Sequence, residues 1–193
     1  MNNTIKNNLK TAIKLKKQLL EDDELLSKIS KVAQLIIETY KREGKVLFCG
    51  NGGSAADAQH LAAELSGRYY IDRKPLNAEA LHVNSSFLTA VANDYGYEEV
   101  YSRLIQGIGN KGDVLIALST SGNSENILRA IDTANTQQLT TIGLTGKEGG
   151  SMKSKCQILI NIPTNDTPRI QEAHMLIGHT ICEMVEASLF SSK

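Results

Sequence analysis

The chain has no tryptophan among its 193 residues, and aromatic side chains make up only 5% of it, which disfavours a platform on which nucleic-acid bases could stack. Charge of either sign is not in excess. Twenty-one basic residues balance 21 acidic ones, so the electrostatic footprint expected of a nucleic-acid binder is missing. No apolar run approaches the length of a membrane span. The stretch Met1–Lys6 lacks the pattern of a signal peptide. Cysteine is scarce and odd in number: Cys49, Cys156 and Cys182 sit in apolar contexts and read as buried free thiols, an expectation that places the chain in the cytoplasm. What remains fits one domain with a substantial core.

Residues 4–20 read as an amphipathic helix with Ile5, Leu9, Ile13 and Leu20 on one face and Lys6, Lys10, Lys14 and Lys17 opposite. Asp22-Asp23 offers an N-cap for a second helix through Leu25, Leu26, Ile29, Val32, Ile36 and Tyr40, with Gly44 as its C-terminal stop. Residues 1–43 are expected to serve oligomer packing, and 44–193 to form the core of a single domain. Within that core, strands are expected at 45–49, 78–83, 113–118, 140–144 and 157–161, and helices at 54–66, 85–93, 97–108, 123–136 and 168–190. Short strands interleaved with helices give an α/β fold whose parallel sheet is covered on both faces. Ligands then bind at the carboxyl ends of the strands, so the loops after the strands are the informative ones.

The first such loop is Gly50-Asn51-Gly52-Gly53-Ser54, between an apolar strand and an alanine-rich helix. Gly50, Gly52 and Ala55 match a dinucleotide fingerprint, but Asp72 precedes the second strand instead of ending it, so no nucleotide cofactor is expected. His60 and Glu64 follow at i,i+4 and point the same way, which suits either an acid/base pair or two metal ligands. The third strand runs into Ser119-Thr120-Ser121-Gly122-Asn123-Ser124. Hydroxyls at four of these six positions exceed what helix capping needs, and with backbone amides and the helix dipole they form a phosphate cradle. Asn93-Asp94 suits sugar hydroxyls. Thr167 and Pro168 are expected to open the last helix as N-cap and first residue, and His174 reads as a core or interface residue.

Gly-Asn-Gly-Gly-Ser-Ala, Ser-Thr-Ser-Gly-Asn-Ser and Arg-Ile-Gln-Glu-Ala-His, in this order, resemble the SIS (sugar isomerase) domain family, and within it the isomerases of sedoheptulose 7-phosphate. The resemblance runs over nearly the full length. It implies a flavodoxin-like three-layer αβα sandwich with a five-stranded parallel sheet, an extra N-terminal helix, and a homotetramer. It implies conversion of sedoheptulose 7-phosphate to D-glycero-D-manno-heptose 7-phosphate on the way to the heptoses of lipopolysaccharide. By matching position it implies Glu64 and His179 as acid/base residues. It implies substrate contacts from Asn51, Gly52, Gly53, Glu64, Asn93, Asp94, Ser119, Thr120, Ser121, Ser124 and Gln171, and zinc, one per subunit, on His60, Glu64, Gln171 and His179. A paralogue of the same fold, a replication-initiator-associating binding protein, lacks the acid and the histidine that this sequence has at Glu64 and His179.

Two physical expectations complete the reading. On an alanine-lined helix Glu64 is expected to be desolvated and thus a stronger base. Gln171 and His179 lie about 12 Å apart along a continuous helix and about 80° around it. Either the helix breaks near Gly178 or His179 reaches the site from another subunit, and the second is expected.

Overall fold

The computed structural model describes residues 1–190. Two N-terminal helices, α1 (Asn2–Leu20) and α2 (Asp23–Lys41), lead into β1 (Val46–Gly50), α3 (Gly53–Ser66), β2 (Ala78–Ala80), α4 (Ser85–Tyr95), α5 (Val100–Ile108), β3 (Val114–Ser119), α6 (Glu125–Thr136), β4 (Thr140–Thr145), β5 (Ile158–Asn161) and α7 (Thr167–Phe190). The five strands form one parallel sheet in the order β2-β1-β3-β4-β5, with Gly50 opposite Leu118 and Ser119 opposite Thr145 at its carboxyl edge.

The alternation of side chains along a strand sorts the core into two layers. Val46 and Phe48 of β1 join Val32 and Ile36 of α2, Leu61 and Leu65 of α3, and Ile177 and Ile181 of α7 on one face. Leu47 and Cys49 face Val91 of α4, Tyr101 and Ile105 of α5, and Ile127 and Ile131 of α6 on the other. α2, expected with α1 to serve oligomer packing, is therefore part of the core, with Val32 and Ile36 fully buried. α1 behaves differently. Leu15 and Leu19 are buried, but Ile5, Leu9, Ile13 and Leu20 are all more than half exposed.

Three local expectations are corrected. The residue in the left-handed region after α2 is Glu43 (φ 61°), while Gly44 donates its N–H back to the Thr39 carbonyl. Gly44 is needed for closeness instead, since a Cβ there would lie 2.8 Å from Thr39 Cγ2. β2 ends at Ala80 because Val83 N–H turns back to Ala80 O and Asn84 then caps α4 through Phe87 N–H. α7 already includes Thr167, and the carbonyl of Asp166 accepts from Ile170 N–H, so the cap position is Asp166. Asp22 does cap α2, accepting from Leu25 N–H at 2.9 Å. Cys49 and Cys182 are buried and Cys156 is half-buried, all three as free thiols. Burial pushes the Cys156 and Cys182 thiols up to about 12, so neither is a nucleophile at neutral pH.

Candidate active site

The turn from β1 to α3 is shaped by its glycines. Gly52 sits at φ +55°, a conformation only glycine adopts freely, and a Cβ on Gly50 would lie 2.3 Å from the Ser54 carbonyl oxygen. Gly53 makes room for α7, since a Cβ there would lie 2.4 Å from Gln171 Nε2. The side chain of Gln171 is thereby laid against the loop at the start of α3. Asn51 is held in a reciprocal amide pair with Asn126 of α6, at 2.9 Å in both directions, and its Oδ1 also accepts from the Tyr97 hydroxyl at 3.3 Å. Its carbonyl oxygen is thus occupied within the protein, and one amide proton is left for a ligand. The pair ties the β1 loop to the start of α6, and Tyr101 adds a hydroxyl bond to Gly50 O.

The loop after β3 is folded onto itself and braced from behind. Ser119 Oγ accepts from Gly122 N–H at 3.2 Å and lies 3.3 Å from Ser124 Oγ. Ser121 Oγ accepts from Asn123 N–H at 3.2 Å. Ser124 occupies the N-cap position of α6, yet its side chain makes no capping hydrogen bond. Capping of α6 therefore does not account for the Ser124 hydroxyl. The loop after β4 supports the serine loop through Gly146 N–H to Thr120 O, Met152 N–H to Gly122 O, and Ser151 N–H and Oγ to Asn123 Oδ1. Asn93 and Asp94 lie exposed near the end of α4, bonded to each other at 2.8 Å, about one turn of sequence before the Tyr97 that touches Asn51.

The third constellation lies further along α3. His60 Nε2 is 2.9 Å from Glu64 Oε1 and 3.2 Å from His179 Nε2 of α7. One atom of each of the three residues lies within 4.8 Å of the others. A single imidazole nitrogen cannot donate one proton to two partners, so two ring nitrogens and a carboxylate aimed at one point form a donor set in search of a cation. Two imidazoles and a carboxylate suit zinc in charge and ligand type. Tyr69 packs over His179, with ring centroids 5.9 Å apart.

Three expectations meet this arrangement. α7 runs unbroken through Gly178, and its own His179 reaches His60 and Glu64 within one chain, so no second subunit is needed to complete that trio. The residue left out is Gln171. It lies beside Gly53, seven residues before His60 on α3 and so about 10 Å away along the helix. Glu64, expected to be desolvated on its alanine-rich helix, is half-buried and in contact with His60. Its side chain is 23% exposed, because that face of α3 opens to the surface.

Residues that no motif advertised also belong here. Asn126 and Tyr97 brace the β1 loop through Asn51. Asp57, one turn before His60, lines a cavity of about 510 Å³ with Gln171, Glu172, His179 and Lys16, and its Oδ2 is buried without a hydrogen-bond partner among the described residues. Burial raises its carboxyl above the usual range, and the nearby His60 opposes this. The i,i+3 spacing from His60 was the one available signal for it.

A doubly wound sheet with a hydroxyl-rich cradle at its carboxyl edge and a His–Glu–His cluster between two covering helices defines a class of sugar-phosphate-handling αβα domains. SIS domain family models match residues 9–146 and 107–190. The chain is 47% identical over 193 residues to the phosphoheptose isomerase of Clostridium acetobutylicum, covering 100% of this chain and 98% of the relative. It is 47% identical to phosphoheptose isomerase 2 of Campylobacter jejuni, with 98% and 94% covered. The solved structure of phosphoheptose isomerase GmhA from Neisseria gonorrhoeae superposes with a TM-score of 0.90 at 37% identity, over 96% of this chain and 98% of that one. The chain belongs to the SIS domain family, in its phosphoheptose isomerase branch.

Proposed function

We propose that the protein isomerises sedoheptulose 7-phosphate to D-glycero-D-manno-heptose 7-phosphate, an aldose–ketose interconversion through an enediol(ate). The observation that carries this reading is the Glu64–His60–His179 trio, an acid/base constellation in a fold that also presents a phosphate cradle. The loop at 119–124 offers Ser119, Thr120, Ser121 and Ser124 with the amides of the α6 N-terminus to a phosphate. Asn51, Gly52, Gly53, Asn93, Asp94 and Gln171 serve the sugar chain. Glu64 exchanges the proton between C1 and C2 and His179 serves the oxygens, or the two roles are reversed. Each such group is worth about 10²–10⁴ in rate. His60, Glu64 and His179 would hold one zinc ion per subunit, which when bound supplies a Lewis acid for substrate oxygens.

The same reading makes the working unit a homotetramer with active sites between subunits. From Gly53 to Glu64 is eleven residues of α3, about 16 Å. An extended seven-carbon phosphate spans roughly 10 Å from phosphorus to C1 at about 1.2 Å per bond. The start of α3, which holds the sugar chain in this reading, thus stands further from Glu64 than the substrate is long, and that supports an active site shared between copies. The uncovered apolar residues of α1, and a cavity of about 330 Å³ lined by Leu20, Leu26, Leu176 and Met184, support a second copy packing there. A cytoplasmic enzyme feeding lipopolysaccharide heptoses follows from this reading; among the described residues no helix is long and apolar enough to cross a membrane.

The test is direct: purified protein with sedoheptulose 7-phosphate, followed by NMR for the aldose. Formation of the heptose aldose is expected. Binding without product would favour a non-catalytic sugar-phosphate-binding protein and overturn the reading.

A further inference from the structure

The segment from Gly67 to Arg73 winds around one buried carboxylate. Glu186 accepts from three consecutive backbone N–H groups: Tyr69 at 2.9 Å, Tyr70 at 2.6 Å and Ile71 at 2.9 Å. It also accepts from Arg73 Nε at 2.7 Å, and both side chains are 1% exposed. Four donors on two oxygens saturate that carboxylate. Arg73 in turn spends its remaining protons on main-chain carbonyls. Nη2 donates to Glu64 O at 2.9 Å, and Nη1 to Leu65 O, Gly67 O and Lys74 O at 3.0, 3.3 and 3.1 Å. The carbonyls of Glu64 and Leu65 belong to the last turn of α3, where helix oxygens lack intrahelical partners. Arg73 is thus a side-chain cap on the turn that carries Glu64.

Glu186 sits seven residues after His179 on α7, almost two full turns, and so on the same face. One end of the ion pair therefore stands on the His179 face of α7, and the other grips the backbone of Glu64 on α3. The segment it folds brings Tyr69 against the His179 ring. A core needs no such device, since a buried ion pair gives little net stability over apolar residues of similar volume. What it gives here is a fixed distance.

We propose that the buried Arg73–Glu186 pair is a positioning strut that sets the separation and orientation of Glu64 and His179. The inference rests on the isomerase reading for its kinetic readout and on geometry alone for its structural one. Neither residue touches the substrate. The strut acts through the α3 end and the Tyr69 segment.

The test uses the Arg73→Met/Glu186→Met double variant, which removes both buried charges together, with Glu186→Gln as a second, smaller change. Each is assayed as the full-length assembled protein after circular dichroism confirms folding. With histidines labelled, the wild type is expected to give a nuclear Overhauser contact between the His60 and His179 rings, which the double variant loses or weakens. In the isomerase assay kcat is expected to fall about 10–100-fold, the usual cost of losing a supporting partner behind a site, while KM for the sugar phosphate stays within about twofold. Folded variants with the wild-type ring contact and wild-type kcat would overturn the strut. If the double variant does not fold, Glu186→Gln decides by the same two measurements. A wild type without turnover would refute the isomerase reading, and the ring contact would then decide on the strut.

Discussion

His174 gives a prediction that needs no assumption about substrate. Its side chain is fully buried on α7, with Nε2 donating to Thr145 O at 3.2 Å and Nδ1 without a hydrogen-bond partner among the described residues. Burial, the dominant cause, brings the imidazole down from 6.5 to about 4, against a smaller opposing effect of the Thr145 carbonyl. A histidine whose folded value is depressed binds protons more readily when unfolded. Its contribution is intact above pH 6.5 and is lost as pH falls from 6.5 towards 4. At 1.36 kcal/mol per unit, the full loss is about 3 kcal/mol, and about 2 kcal/mol at pH 5. His174→Gln keeps a donor for Thr145 O, and that carbonyl also accepts from Ile162 N–H. The assay is urea unfolding of wild type and variant at one fixed protein concentration, at pH 7.5, 6 and 5. The stability of the wild type relative to the variant is expected to drop by about 2 kcal/mol between pH 7.5 and 5. A difference that does not move with pH would refute the claim that His174 is buried neutral.

Four further outcomes follow from the site. Glu64→Gln is expected to lower turnover by about 10²–10⁴ while calorimetry still detects sugar-phosphate binding. Gly122→Ala places a Cβ 2.1 Å from Gly149 O at a residue with φ +68°. Loss of sugar-phosphate binding by calorimetry is expected, since the serine loop cannot keep its shape. Co-assembling an inactive Thr120→Pro cradle variant with inactive Glu64→Gln subunits is expected to restore partial activity if cradle and trio come from different copies; no recovery would argue for a site within one chain. Metal analysis of tag-free protein is expected to find zinc, and a chelator is expected to lower the melting temperature, whereas His60→Ala/His179→Ala protein should show neither.

Much of the architecture could be read from the chain because each element carries its own local signal. Alternating apolar strands and amphipathic helices placed all five strands, and β-strand ends pointed to the loops that hold the glycines and serines. The i,i+4 pair His60–Glu64 is likewise a local fact, fixed by helix geometry. Errors fell where the deciding contact is distant. Gly44 looked like a helix stop, but its requirement is closeness to Thr39 and its left-handed neighbour is Glu43. Gln171 and His179 looked like ligands of one centre, but an unbroken helix carries them to opposite ends of α3.

The sequence by itself determined the αβα alternation, the clustering of hydroxyls at residues 119–124 and the placing of His60 and Glu64 on one face of α3. Periodicity and turn chemistry operate over a few residues, and a few residues suffice to specify them. Tertiary structure alone decided that His179 joins His60 and Glu64 within one chain, that Asn126 locks Asn51, and that Glu186 and Arg73 brace the end of α3. Those partners are 119, 75 and 113 residues apart, and only packing of helices on a sheet brings them together.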